Sequence, residues 1–400
     1  MLSPAQAEAI IRERVPKMPT QTASLVQLTG TVLREPIIAT RNQPPFDRVT
    51  MDGIAIASSA GKQRSFRIAG VQAAGSRQLV LASDEACFEV MTGAVLPQGC
   101  DCVIPIERIR IADGTAHLQD DVVPAVGTNI HRQGLDCRAG TPLLESGTLL
   151  CPPEVAVIAS TGLARVEVSQ PPQIAVISTG DELIEPGEPV TDWQIYRSNV
   201  YGVLAALQAR GFSQLTQHHL PDDLATLRAR LRDLLAQHDV LVLSGGVSMG
   251  KFDFVPQALS DLGVELVFHK IAQRPGKPMW FGVGTIENRG RAVYALPGNP
   301  VSTLICLTRY VLPGLATSMA ATLRPTETLA LAEDFEVKPA LAFYLPVRLS
   351  ADEHGHFTAH PRPTRGSGDF TSLIGTHGFV ELPPGPAVIR KGTVVPFYRW

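Results

Sequence analysis

The chain has 400 residues, more than one ordinary core accommodates, so several domains are expected. Hydrophobic residues make up 44% and charged residues 18%, the balance of a soluble globular protein, and a net charge of -3 leaves no electrostatic footprint for a nucleic-acid partner. No apolar run is long enough to span a bilayer, so a membrane-spanning role is also excluded.

The opening "MLSPAQAEAIIRERV" does not have the pattern of a signal peptide. Ser3, Pro4 and Gln6 predict a helix start, with Ser3 as cap and Pro4 at the first helical position. From about Thr50 to Arg132 the texture is β-like. "CFEVMTGAVL" and "CVIPIERIRIADGTAHLQ" carry β-branched runs, and Asp113-Gly114 is a strong hairpin signal. The six cysteines are scattered along the chain, which predicts free thiols in a reducing cytoplasm. Cys100 and Cys102 have no second ligand pair at zinc-site spacing and are expected to be core thiols.

From Gln173 the period changes. "QIAVIST" predicts a buried strand, and "SNVYGVLAALQARG" a helix capped by Ser198 or Asn199 and stopped at Gly211. "DDLATLRARLRDLLAQ" predicts a second helix, opened by Asp222. "DVLVLSGG" and "RAVYALPG" predict further strands, and "NPVSTLICLTRYVLPGL" a closing helix. Strands alternating with helices predict a mostly parallel sheet covered on both faces, with ligands outside the carboxyl ends of its strands. After Arg324-Pro325 the texture is β again, so a small β domain closes the chain.

Three predicted strand ends could carry chemistry: "STGDELIEPG", "SGGVSMGKFDF" and "LPGNPVST". Each combines glycine with hydroxyl, amide or carboxylate groups, and glycine lets backbone N–H groups approach an anion closely. The first two supply Ser178, Gly180, Gly245, Gly246 and Ser248, and the third Pro297, Gly298, Asn299 and Pro300. Asn299 as cap and Pro300 at the first helical position would present a helix N-terminus to a phosphate. Asp181, Glu182 and Asp253 lie in or just after these loops. Carboxylates beside a phosphate repel it unless a cation lies between, which argues for Mg²⁺ held by a few carboxylates together with phosphate oxygens and water. "FHKIAQRPGKP" gathers Lys270, Arg274 and Lys277 and suits a polyanionic small ligand or, equally, a solvated basic loop. Asp52, Thr92 and Asp136 stand beside glycines and read by themselves as turn residues.

Taken in order, "MDG", "MTGAVLPQG", "GTNIHRQGLD", "STGDEL", "IYRSN", "SGGVSMG" followed by "DF", "RPGKP" and "LPGNPVS" resemble the molybdopterin molybdenumtransferase family, the MoeA and gephyrin E-domain proteins. The resemblance covers nearly the whole chain. It implies a multidomain α/β plus β fold: a central molybdopterin-binding α/β domain with a mostly parallel sheet, β-rich N-terminal domains and a small C-terminal β-barrel-like domain. The expected divisions are an N-terminal helix at 1–20 packing on the α/β domain, and a linking domain at 21–45 and 137–170. A β-rich domain at 46–136, the α/β domain at 171–323 and the C-terminal domain at 324–400 complete them. It implies insertion of molybdate into adenylylated molybdopterin, giving molybdenum cofactor and AMP with Mg²⁺ present, in a homodimer whose active site is shared between subunits.

By motif, Glu182 and Asp253 take the family's metal and molybdate-side positions, and Asp222 that of a further functional aspartate. Asp52, Thr92 and Asp136 take its polar positions on the partner subunit. Lys270, Arg274 and Lys277 fall on its basic loop, and Ser367 on its C-terminal Gly-Ser element. On this reading the loop after Leu243 is bare because a phosphate-bearing ligand lies against it. Molybdopterin adenylyltransferase and molybdoenzyme maturation proteins are implied as partners, in the cytoplasm. The chain departs from the family pattern at Ile54 (usually Tyr), Leu135 (usually Glu), Lys251 (also usually Glu), Arg274 (often Lys) and Leu345 (usually Arg). The alternative reading is therefore a non-catalytic paralogue that binds molybdopterin or finished cofactor and delivers it to an apo-enzyme.

Overall fold

A computed structural model describes residues 1–60, 63–247 and 254–400. The chain divides into two compact units. One comprises Met1–Glu35, Ser146–Pro152 and Arg165–Trp400; the other comprises Pro36–Glu145 and Pro153–Ala164.

The second unit is β-rich. Its main sheet has six strands, in the order Cys102–Pro105, Gly53–Ile56, Ala86–Val90, Ser65–Gln72, Thr115–Leu118 and Ile109–Ala112. The predicted hairpin is present. Ile109–Ala112 and Thr115–Leu118 pair antiparallel, and Asp113 (φ 49°) with Gly114 (φ 71°) makes the two-residue turn that such a connection requires. Ile54, Cys87 and Cys102 are fully buried in its core. Burial pushes the Cys87 and Cys100 thiols up to about 12, so these are unreactive core thiols.

The first unit contains a six-stranded sheet in the order Leu215–Leu220, Ile174–Thr179, Val240–Ser244, Arg289–Leu296, Trp280–Ile286 and Glu265–His269. The first four strands and Glu265–His269 run in one direction and only Trp280–Ile286 runs against them, so the sheet is mostly parallel as expected. Its central strands read as unbroken apolar runs because both faces are covered. Alternate residues go to opposite sides. Ile174, Val176, Val240 and Val242 pack with the Ser198–Gln208 helix and the helical segments from Pro300 to Ser318. Ala175, Ile177, Leu241 and Leu243 pack with the Leu224–Gln237 and Val255–Asp261 helices. The N-terminal helix, Pro4–Arg14, has the predicted capping box between Ser3 and Gln6, and its Ala7 and Ile11 join the first of these cores.

Two predicted caps are corrected. The Leu224–Gln237 helix is capped by Asp223, whose carboxylate accepts from Thr226 N at 2.8 Å, and not by Asp222. The Ser198–Gln208 helix starts after Arg197 with no side-chain cap, because Asn199 points elsewhere.

The C-terminal part of this unit is a closed barrel. Ala342–Ala351 pairs with both Phe357–Pro361 and Gly378–Leu382, and Glu327–Leu331 and Val394–Arg399 complete the ring. Leu345 is fully buried in its core. The stretch read as a basic loop contains a short strand: Gln273 and Arg274 pair in parallel with Ala342 and Phe343 of the barrel.

Candidate active site

The register of the parallel sheet brings the predicted loops to one level. Ser178 lies opposite Ser244, and Ser244 opposite Leu296, so all three chains leave the sheet side by side. A cleft of about 830 Å³ opens there. Ser178, Gly180, Glu182, Asp222, Gly245, Gly246, Pro297, Gly298, Asn299 and Pro300 all line it. Ser248 and Asp253 lie outside the described residues.

Side chains tie the loops together. Asn199 Nδ2 donates to Ser244 Oγ at 2.8 Å and to Gly298 O at 2.7 Å, joining two loops from a helix that belongs to neither. Thr303 Oγ1 donates to Pro297 O at 2.6 Å. Ser178 Oγ and His219 Nδ1 are hydrogen-bonded at 3.1 Å. Burial, with the charge of Arg197 nearby, holds His219 below the usual imidazole range, so it is a neutral partner at pH 7. Thr179 Oγ1 is buried at the cleft without a hydrogen-bond partner among the described residues.

The glycines after Leu243 have a different cause from the one expected. Gly245 has φ +101° and Gly246 φ +68°, conformations that side chains rarely adopt. A Cβ on Gly245 would lie 2.8 Å from Thr179 O, and one on Gly246 would lie 2.6 Å from Val255 Cγ2 and 2.9 Å from Thr179 Oγ1. The space beside them is filled by protein, so the fold itself demands glycine there. At Gly180 an added Cβ would collide with the Glu182 carboxylate, which folds back over it.

The helix start after Pro297 also differs. Asn299 occupies the cap position, but its Nδ2 donates to Ser367 Oγ at 2.8 Å and caps no helix N–H. Val301 N donates to Ser367 O at 3.0 Å, so one of the helix's first N–H groups is already taken. Ser367 thus docks the barrel's Gly-Ser loop onto the cleft.

A second pocket of about 330 Å³ adjoins the cleft and shares Pro278, Pro297 and Asn299 with it. Arg274, Lys277 and Ser367 line it, and Lys270 lines neither pocket. The loop bearing Arg274 and Lys277 is held from behind. Gln273 Nε2 donates to Pro275 O at 3.2 Å, Cys306 Sγ to Gly276 O at 3.6 Å, and Tyr310 hydroxyl to Gln273 Oε1.

Known proteins match this arrangement along the whole chain. Three family models fit: the MoeA N-terminal region (domain I and II) at residues 2–162, the "Probable molybdopterin binding domain" at 175–317, and the MoeA C-terminal region (domain IV) at 328–400. A molybdopterin molybdenumtransferase of Synechocystis sp. is 41% identical over 100% of both chains. The chain belongs to the molybdopterin molybdenumtransferase family. A Haemophilus influenzae molybdopterin molybdenumtransferase is 35% identical over 79% of this chain and 77% of its own. The solved molybdopterin biosynthesis MoeA protein from Pyrococcus horikoshii OT3 superposes with TM-score 0.80, at 25% identity and 100% coverage of each chain.

The polar residues expected to act in the β-rich unit are in part brought together. Asp52 Oδ1 accepts from Thr92 N at 2.7 Å and from Thr92 Oγ1 at 2.8 Å, and these two bonds hold its carboxyl below the usual carboxylate range. Asp136 makes a separate contact, to His131 Nε2 at 2.8 Å. Sequence reasoning missed Asn199, Thr179 and Arg365. Asn199 stood in the "IYRSN" stretch but read as a helix cap, and Arg365, which lines the smaller pocket, stands just before the Gly-Ser element rather than within it.

Proposed function

We propose that this protein inserts molybdate into adenylylated molybdopterin with release of AMP, forming molybdenum cofactor. The observation that carries the reading is the pair of adjoining pockets. A cleft at three strand ends, with hydroxyl, amide and carboxylate side chains in its lining, is large enough for a nucleotide-bearing ligand, and beside it lies a smaller pocket containing Arg274 and Lys277.

In this reading the strand-end loops that Asn199 ties together orient the phosphates, while Arg274 and Lys277 balance anionic charge. Water attacks a phosphorus of the phosphoanhydride, the P–O–P bond breaks and AMP leaves; as two Mo–S bonds form on the pterin dithiol, one molybdate oxygen departs as water with the two thiol protons. Among the described residues no group of three or more His, Cys, Asp or Glu side chains could cage a metal unaided. One or two carboxylates supplemented by phosphate oxygens and water are the donor set Mg²⁺ takes, so Glu182 fits as a ligand, with Asp253 the second by resemblance. Bound there, Mg²⁺ would neutralise the charge that develops on the phosphates. We take the working form to be a cytoplasmic homodimer in which Asp52, Thr92 and Asp136 of one subunit complete the cleft of the other.

Nitrate reductase activity in a strain lacking this transferase tests the reading. Wild-type protein should restore it; Asp52→Asn and Glu182→Gln, each folded but inactive, should restore it only when co-expressed and able to form mixed dimers. Wild-type protein that folds yet restores nothing would reject the reading in favour of cofactor delivery.

A further inference from the structure

The smaller pocket joins two cations of the basic loop with one that no motif marks. Arg274, Lys277 and Arg365 line it, and among the described residues no aspartate or glutamate does. None of the three makes an ion pair among the described residues. Like charges gathered in one pocket repel, and a bound anion removes that cost. Arg274 and Lys277 line it from one segment, and Arg365 lines it from another, the Pro363–Ser367 segment of the barrel domain.

The main chain beneath Arg365 is pinned. Arg365 N donates to Asp369 Oδ2 at 3.0 Å, and the same carboxylate group accepts from Thr371 Oγ1 at 2.9 Å and Ser372 Oγ at 2.6 Å. Two residues on, Ser367 is fixed to Asn299 and Val301. Asp369 is therefore engaged with its own loop, and among the described residues it makes no ion pair with the Arg365 guanidinium.

Size selects the ligand. A volume of 330 Å³ holds about eleven waters at ~30 Å³ each, room for a small oxyanion with part of its hydration shell. It is less than half the 830 Å³ of the neighbouring cleft, where the nucleotide-bearing substrate fits. Leu345, fully buried, offers only an apolar wall.

We propose that Arg365 is a specificity-determining residue that binds the tetrahedral oxyanion, molybdate, in the pocket it lines with Arg274 and Lys277. The inference rests on the function proposed above. A guanidinium presents a fork of donors that matches two oxygens of one anion, which an ammonium cannot do.

The test uses the full-length protein and the variants Arg365→Ala, Arg365→Gln and Arg365→Lys. In turnover, Arg365→Ala and Arg365→Gln should raise the KM for molybdate about tenfold, the loss expected for one charge-assisted hydrogen bond. The KM for adenylylated molybdopterin and the melting temperature should stay unchanged, and Arg365→Lys should recover part of the loss. An unchanged molybdate KM, or an equal rise in both KM values, overturns the proposal and leaves the proposed function standing. Should wild-type protein form no cofactor, the proposed function fails. Calorimetry with molybdate alone then decides Arg365: tenfold weaker binding by Arg365→Ala supports it, while equal binding, or none by wild type, overturns it.

Discussion

Gly245 and Gly246 border the cleft at one strand end, and Gly366 and Gly368 border the two pockets from the barrel side. Sequence alone gives both pairs the same look, glycines flanking serine or next to it. Their surroundings differ. At 245 and 246 the backbone has positive φ and an added Cβ meets Thr179 or Val255. At 366 and 368 no positive φ is needed, and an added Cβ meets nothing within 4 Å. The first pair is required by the fold whether or not a ligand binds. The second is not, so a side chain there competes only with solvent or with whatever occupies the pockets. A bare loop is thus no evidence of a ligand until the space beside it has been inspected.

This contrast can be broken by substitution. Gly246→Val places a β-branched side chain at φ +68° and against Val255, and overpacking plus left-handed strain should cost about 3 kcal/mol of stability, read by chemical denaturation. A stable Gly246→Val protein that had lost only ligand binding would reverse the assignment. Glu182→Gln should leave stability unchanged, because the residue is exposed, and slow cofactor formation roughly a hundredfold with weaker Mg²⁺ dependence. Gly366→Val should unfold like wild type and weaken molybdate binding by a few-fold, about 1 kcal/mol. A large stability loss there would place Gly366 with the structural pair.

The smallest effect concerns the β-rich unit. Thr92→Val removes one of the two hydrogen bonds to Asp52, so the Asp52 pKa, followed by NMR titration, should rise toward the ordinary carboxylate value. Because the folded value is depressed, any stabilisation from this pair is present at neutral pH and is lost as pH falls below about 4. An unmoved titration would mean that the backbone N–H of Thr92 alone holds the carboxylate.

The Ile174–Thr179 and Val240–Ser244 strands were legible because residues buried on both faces leave an unbroken apolar run, and the Ser3 cap because its partner is three residues away. Local pattern failed where two adjacent residues satisfied it equally, as at Asp222 and Asp223. It failed again where partners are distant. Asn199 reads as a cap, yet its hydrogen bonds go to residues 45 and 99 positions away. Most of the site residues marked by recognisable motifs line one of the two pockets, while Lys270 lines neither. Arg365 was not legible, because its significance comes from a barrel loop docked beside a strand of another domain.

The central claim is that the cleft performs chemistry and does not merely hold a cofactor. Quantifying AMP and pterin-bound molybdenum after mixing purified protein with adenylylated molybdopterin, Mg²⁺ and molybdate tests it directly. The account predicts molybdate-dependent release of one AMP per cofactor formed over many turnovers, and its near disappearance in Glu182→Gln. Binding of one adenylylated molybdopterin per cleft without AMP release, unchanged in Glu182→Gln, would contradict it.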